Sequence, residues 1–357
     1  MSQSAQPTFA APAPLLGRIA DVCRGRGLAG LADRLGALRE WLGDELASVE
    51  RELSSLPEGP RVVQASARHL LDLGGKHLRP MCVAIAAKIG TGFGEQARQL
   101  AVAVELVHSA TLLHDDVIDG GDTRRGSPAA RAIYGNAASI YAGDWLLVEA
   151  LRRIRRAGIE GLVDDMLAVI EEMILAESIQ LENRGRLGDG VSDYMRVVEG
   201  KTASLFRWAM RAGGRAGGLS EDHTDALERF GFHLGVAFQA VDDLLDLGGD
   251  ASATGKDVLS DLREGKMTYP LVVAAARDSA LAARLEAHLE RPDGEDLAAS
   301  EAAEISALVK ASGGLEACRE LAESRADEAL KALSAIPDGA ERRALAAVVH
   351  ASIDRER

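Results

Sequence analysis

Residues 96–119 read QARQLAVAVELVHSATLLHDDVID, and residues 230–247 read FGFHLGVAFQAVDDLLDL. The first tract contains neither Gly nor Pro, and the second is interrupted only by Gly231 and Gly235. Both are apolar nearly all round, the pattern of helices in the middle of a bundle rather than on its surface. Each nonetheless ends in three aspartates spaced DDxxD: Asp115, Asp116 and Asp119 in one, Asp242, Asp243 and Asp246 in the other. On a helix, the outer pair of each set lies one turn apart on one face. Like charges there repel, and negative charge at a helix C-terminus opposes the macrodipole, so each cluster destabilises its helix unless a cation neutralises it.

With 27 Asp in 357 residues, chance supplies on the order of 0.15 DDxxD motifs, so two of them call for a chemical reason. Carboxylate oxygens without His or Cys at ligand spacing suit a hard ion such as Mg²⁺, which keeps waters and takes substrate phosphates as further ligands. Two such clusters on facing helices would form a divided clamp for a diphosphate ester. The pair Asp164 and Asp165 is followed by Ala168 instead of a third aspartate, and it reads as an ordinary acidic helix surface.

Outward from these tracts, apolar residues recur at steps of 3 to 4 from Leu28 onward, and period-2 runs are missing. The expected fold is all-α, a single large helical bundle around a central apolar cavity. Only 4% of residues are aromatic, so Leu, Ala and Val must fill the core. Helix breaks are expected at 56–60, 90–94, 120–128, 184–190, 213–218, 248–255 and 291–294, which leaves about a dozen helices. No break resembles an interdomain linker. Residues 28–357 therefore read as one domain, and residues 1–27, rich in Ala and Pro, as a disordered N-terminal tail.

Composition removes other classes. A formal net charge of −14 argues against nucleic-acid binding and against an electrostatic hold on anionic membranes. Cys23, Cys82 and Cys318 are scattered and odd in number, which suits neither a disulfide framework nor a zinc site, and fits a reducing cytoplasm. No stretch reaches the about 18 apolar residues of a membrane span, so no stable membrane anchor is expected.

Any phosphate ligand must then meet local cations. Lysine is scarce, 7 against 34 arginines, yet four lysines sit in Gly-rich or polar settings: Gly-Gly-Lys76-His77-Leu-Arg79-Pro, Gly-Lys201-Thr202, Gly-Lys256-Asp and Gly-Lys266-Met. Gly lets backbone and ammonium approach an anion together, and Arg adds bidentate pairing. Arg124-Arg125-Gly126 follows the first acidic cluster closely. By contrast, Arg152, Arg153, Arg155 and Arg156 precede Gly158 and read as a solvated helix end that complements the dipole.

Taken together, GGKHLRP (74–80), HSATLLHDDVID (108–119), RRG (124–126), KTASLF (201–206), QAVDDLLD (239–246) and GKDVLSDLREGKMTYPL (255–271) resemble the trans-isoprenyl diphosphate synthases, the polyprenyl synthetase family, over roughly residues 35–355. The stretch from His108 to Asp144 is most similar to the long-chain members, octaprenyl and solanesyl diphosphate synthases. The resemblance implies the isoprenoid synthase type I fold. It implies that the six aspartates hold three Mg²⁺ ions on an allylic diphosphate, with Arg124, Lys201, Lys256 and Lys266 on the same group. Isopentenyl diphosphate would be held by Lys76, Arg79, His108 and Arg125. Thr202 and Gln239 would lie along the cleft, offering oxygen dipoles to a carbocation without attacking it, so that Lys201, Thr202 and Gln239 form the catalytic set. The partners are then two small-molecule diphosphates and, as the family suggests, a second copy in a homodimer, in which apolar helices such as 96–119 could bury surface.

Three departures from the family pattern stand out. The usual GExxQ reads Ala176-Glu177-Ser-Ile-Gln180, Leu259 replaces a common Gly, and His77 stands where a basic residue often follows Gly-Gly-Lys, which is expected to weaken isopentenyl diphosphate binding slightly near neutral pH. The growing tail is expected to run beneath Asp115 past Thr111 and Ala110, since a helical turn of ~5.4 Å is close to one isoprene unit. Both side chains are small, where short-chain members carry an aromatic, so the expected product is longer than farnesyl, about thirty-five to fifty carbons. The alternatives are a farnesyl or geranylgeranyl diphosphate synthase, a terpene cyclase, which would leave the second diphosphate seat without a role, and a non-catalytic subunit, which would lack intact acidic motifs.

Overall fold

The structure, a computed structural model, describes residue 38 and residues 40–56, 61–75, 77–248, 259–291 and 297–353. Lys76, Lys256 and the expected tail 1–27 lie outside the described residues. The helices are α1 (Gly43–Ser54), α2 (Val62–Asp72), α3 (Leu78–Ile89), α4 (Glu95–Ile118), α5 (Ala130–Tyr134), α6 (Asn136–Ala157), α7 (Leu162–Glu182), α8 (Val191–Val198), α9 (Ser204–Ala216) and α10 (Glu221–Gly248). They continue with α11 (Ser260–Arg263), α12 (Tyr269–Arg277), α13 (Ser279–Leu289), α14 (Ala299–Ala311), α15 (Gly314–Ala332) and α16 (Ala340–Ile353).

The run Leu100–Val104 on α4 is buried without a break, so this helix is enclosed on every side, as its composition predicts. It lies along α6, while α9 packs between α3 and α10, and α10 lies along α15. Because α4 is consumed inside its own chain, it has no broad face to offer a second copy. Most of the exposed large apolar side chains stand instead on α6 and α7, and α4 contributes Ile118 at its end.

The glycines of 213–218 do not all break a helix. α9 continues to Ala216, and Gly213 lets it close on α3: a Cβ there would stand 2.5 Å from the Val83 carbonyl oxygen. Gly231 serves the α9–α10 contact similarly, with its Cβ position 2.5 Å from Phe206 O, and Gly235 lets α10 close on the residue just before α9, with its Cβ position 2.5 Å from Ala203 Cα. The break at 120–128 contains a small antiparallel hairpin, Thr123–Arg124 (β1) with Ser127–Pro128 (β2). Its two-residue turn, Arg125 at φ 55 and Gly126 at φ 76, takes positive φ at both positions, as a type I′ turn requires.

Arg153 departs from the solvated reading of its helix end. Its side chain is 7% exposed and bonds Glu52 Oε2 at 2.8 Å and Gln99 Oε1 at 3.2 Å, tying α6 to α1 and α4. A satellite core of Leu259, Leu262, Leu271, Leu285 and Ile305 lies under residues 259–266. Leu259 has φ 63, a conformation that costs a side-chain-bearing residue about 1–2 kcal/mol. Its complete burial in the satellite core offsets that cost.

Candidate active site

The two acidic helix ends converge. Lys266, which follows the second cluster in the chain, donates from Nζ to Asp119 Oδ2 of the first at 2.7 Å. Asp261, five residues before Lys266, lies in the field of Asp246 and Asp243 of the second cluster. Residues 259–266 thus span from one cluster to the other. Burial, reinforced by Asp246 and Asp243, lifts the Asp261 carboxyl to about 7.

Around the first cluster each carboxylate has a cation. Lys201 Nζ stands 3.7 Å from Asp115 Oδ2 and 2.6 Å from Glu177 Oε1. Arg124 donates through Nε to Asp116 Oδ1 at 2.9 Å, and through Nη2 to the same oxygen. Asp119 also receives Arg184 Nη2 at 3.3 Å, while Arg184 Nη1 donates to Ile118 O and Nε to Glu264 O. Burial pushes the Asp115 carboxyl up to about 6; Glu177 and Asp119 add to the rise and Lys201 opposes it.

Lys201 and Thr202 belong to a π-helical turn, Glu199–Ala203, between α8 and α9. Such turns carry one extra residue per hydrogen-bonded ring and concentrate at functional sites. Gly200 permits the turn to press on α7, since a Cβ there would lie 2.7 Å from Glu172 O.

Around the second cluster the donors come from the protein. Thr202 Oγ1 donates to Gln239 Oε1 at 3.0 Å, and Gln239 Nε2 donates to Asp243 Oδ1 at 3.0 Å. Tyr269 N donates to the other oxygen of Asp243 at 3.1 Å. Burial holds Asp243 at about 6, against the pull of those two bonds. Ser260 N donates to Asp246 Oδ1 at 3.0 Å. Asp115, Asp119, Asp242 and Asp246 keep exposed surface, whereas Asp116 and Asp243 are buried.

A third group gathers at the start of α3. The Arg79 guanidinium lies 4.5 Å above the Phe206 ring, a cation–π geometry. Arg79, Arg125 and Arg124 all act on His108, whose proton affinity falls to about 3, chiefly through burial. Arg79 also feels Asp242, which ties this group to the second acidic cluster. In its midst stands Glu105, a buried carboxylate. Of the chain-length pair, Thr111 keeps exposed surface and donates from Oγ1 to His108 O at 2.8 Å, whereas Ala110 is 1% exposed. Helix geometry separates them: position i−4 lies about 40° round from Asp115 and i−5 about 140°.

The acidic reading of Asp165 as surface agrees with its contact, 3.2 Å to Arg211 Nε. Sequence reasoning missed Glu105, Arg184 and Asp261 as members of the site, and it read Glu177 as a family motif residue without placing it against Lys201. Glu105 carried a signal, being the single carboxylate between Gln96 and the DDxxD motif in an otherwise apolar stretch; Arg184 carried none.

The donor set fits hard cations. It is all oxygen, and Asp116 Oδ2 is buried without a hydrogen-bond partner. Among the described residues no three acidic or His/Cys side chains close around one point. The clusters therefore offer separate anchor points: the carboxylates of the first face lysine or arginine, and Asp243 and Asp246 of the second accept from Gln239, Tyr269 N and Ser260.

An all-helical bundle with two opposed carboxylate clusters and a ring of cations defines a diphosphate-processing transferase. A model of the Polyprenyl synthetase family matches residues 60–306. The octaprenyl diphosphate synthase of Escherichia coli (strain K12) is 33% identical over 325 residues, 90% of this chain and 99% of that protein. The crystal structure of a decaprenyl diphosphate synthase from Rhodobacter capsulatus is similar at TM-score 0.82 and 35% identity, covering 90% of this chain and 99% of that one. A polyprenyl synthase from Caulobacter crescentus CB15, complexed with calcium and isoprenyl diphosphate, is similar at TM-score 0.81 and 33% identity, over 91% and 97% of the two chains. The chain belongs to the polyprenyl synthetase family, with its all-α isoprenoid synthase fold, and is a prenyltransferase.

Proposed function

We propose that this enzyme condenses an allylic diphosphate with isopentenyl diphosphate by trans chain elongation, giving a product of about thirty-five to fifty carbons, with Thr111 as the residue that leaves the floor open. The observation that carries the reading is the span of residues 259–266, in which Ser260 N meets Asp246 of the second acidic cluster and Lys266 Nζ meets Asp119 of the first. It supports a single seat for one diphosphate between two helix ends. Asp115, Asp116, Asp119, Asp242, Asp243 and Asp246 are the proposed ligands of Mg²⁺, three ions in all, with Asp116 oriented by Arg124, Asp243 by Gln239 and Tyr269 N, and Asp246 by Ser260. When bound, the ions supply Lewis acidity that stabilises the leaving diphosphate.

The chain's own residues do the rest. Lys201, Lys266 and Arg124, with Lys256, neutralise charge that builds on the departing group as the allylic C–O bond breaks. Arg79, His108 and Arg125, with Lys76, hold isopentenyl diphosphate so that its double bond meets the allylic carbocation. The Thr202–Gln239 pair turns neutral oxygens toward the cation, and the apolar walls exclude water that would quench it. The departed diphosphate then takes a proton from the new cation, leaving a trans double bond in a chain five carbons longer.

The unit of function is proposed to be a homodimer of the 28–357 domain. Ile140, Tyr141 and Val148 on α6 and Leu167, Ile174 and Leu175 on α7 are exposed, large and apolar, a surface that a second copy would cover. The cytoplasm is the proposed compartment, in keeping with Cys82 and Cys318, both buried thiols; among the described residues no helix is long and apolar enough to cross a membrane. Incubating the purified protein alone with Mg²⁺, farnesyl diphosphate and isopentenyl diphosphate tests the reading. Elongated products support it, a cyclised hydrocarbon points to a cyclase, and no conversion points to a non-catalytic subunit.

A further inference from the structure

His77 opens α3 with φ 46, left-handed backbone that a residue bearing a Cβ seldom takes. Strained conformations of this kind persist where the surroundings impose them. Here the surroundings include Glu105 on α4, 4% exposed, whose Oε1 stands 3.1 Å from His77 Nδ1. Gly75 makes the room, since a Cβ there would lie 2.9 Å from that same oxygen. The charged groups that face His77 are Glu105, Glu50 on α1 and Arg125 in the hairpin turn. Those that face Glu105 are His77, His108 and Arg79.

Among the described residues of this cluster, His77 is the one charge free to change near neutral pH. Burial works against the Glu105 carboxylate, but His77, His108 and Arg79 outweigh it and hold the group at about 2. His108, at about 3, is neutral. His77 is raised above its ordinary value: burial pulls it down, and the contact with Glu105 more than compensates. With His77 protonated, imidazolium and carboxylate cancel, and Arg79 and Arg125 can answer an incoming anion. Once His77 loses its proton, an uncompensated carboxylate remains beneath that anion and draws on Arg79 instead.

We propose that Glu105 is a positioning residue and His77 its titrating counter-ion, and that together they make the binding of isopentenyl diphosphate depend on a proton. The inference rests on the reading of Arg79, His108 and Arg125 as the seat of that substrate. A raised folded value means that the favourable state is complete at low pH and is lost as pH rises through it.

The test is the KM for isopentenyl diphosphate between pH 6.5 and 9, with Mg²⁺ and farnesyl diphosphate saturating. In the wild type KM should rise roughly fivefold, the low end of the usual coupling between two bound species, with kcat little changed. His77→Arg should keep KM low and level across the range, and Glu105→Gln, which removes the charge that needs a counter-ion, should also lose the rise. Ionisation of the substrate is common to all three proteins and cancels in the comparison. Should Glu105→Gln fail to fold, wild type against His77→Arg still decides. Parallel KM profiles for those two would overturn the proposal while leaving the elongation reading intact. A wild type that elongates nothing at any pH would remove that reading, and the proposal with it.

Discussion

Lys266 Nζ and Asp119 Oδ2, 147 positions apart in the chain, meet at 2.7 Å. The lysine is four-fifths buried, and although burial disfavours its charge, Glu264 and Asp119 hold the proton more firmly than usual. Its ammonium is therefore fixed in place before substrate arrives. Lys266→Ala should lower kcat/KM for the allylic diphosphate by roughly 10²-fold, the loss typical of one preorganised charge. Steady-state kinetics with the allylic substrate varied checks this, and a value within twofold of wild type would remove Lys266 from the diphosphate seat.

The Thr202–Gln239–Asp243 chain of hydrogen bonds makes a second prediction. Gln239→Leu leaves Asp243 Oδ1 buried without its donor at 3.0 Å. Groups that orient metal-binding carboxylates typically contribute 10–100-fold in metal affinity or activity, so the Mg²⁺ concentration for half-maximal rate should rise by about tenfold. Thr202→Val, which removes only the outer link, should have a smaller effect. Unchanged turnover in the double variant would sink the assigned role of both residues.

Product length is the third. Thr111→Phe should shorten the product, because that side chain keeps exposed surface on the Asp115 side of α4. Ala110→Phe should shorten it too, but by forcing a ring into packed core, so its melting temperature should fall as overpacked variants do, by about 1–3 kcal/mol of stability. Chain-length analysis of the products, paired with thermal unfolding, separates the two. If neither variant alters the distribution, the tail does not pass this helix.

A fourth concerns His114, the residue before Asp115. Its Nε2 lies 3.1 Å from the Ile140 carbonyl oxygen and 3.4 Å from Asp144 Oδ1. A Cβ on Gly143 would stand 2.3 Å from that nitrogen. Gly143→Ala should therefore displace the ring and destabilise the protein by about 1–3 kcal/mol, and His114→Ala in the same chain should recover most of the loss. Additive effects in the double-mutant cycle would show that the two do not compete for space.

Acid stability supplies the fifth. His108 is neutral in the fold, at about 3, against 6.5 when exposed. Between those values the unfolded chain takes up a proton that the fold refuses, so stability falls as pH drops below 6.5. His108→Gln should flatten the fall of unfolding free energy between pH 6.5 and 5, by at most about 1.4 kcal/mol per pH unit. Equal slopes for variant and wild type would refute the buried neutral imidazole.

Much of this site was legible as sequence because its chemistry is carried by short, charge-dense motifs at helix ends. Two DDxxD sets on apolar helices announce themselves by being locally unfavourable. What escaped depends on contacts that no spacing encodes. Arg184 matters only because the end of α7 happens to pass Asp119. Gly213 looks like a helix break until the carbonyl of Val83 is seen against it. Arg153 looks like a solvated cation until Glu52 and Gln99 close over it. Lys76 and Lys256, named from their motifs, fall outside the described residues. Leu259 was noticed as a departure, but only its φ of 63 says why a glycine would be at ease there.

The bulge at Glu199–Ala203 has one more consequence. A single residue removed from it would let α8 run into α9 as regular helix, turning everything on one side by about 100° relative to the other. Lys201 would swing away from Asp115 and Thr202 from Gln239, while the backbone itself became more comfortable. Shortened variants of this joint should thus prove hardier and inert, which means that the irregular coil here is kept by selection for turnover against the chain's own preference for regularity.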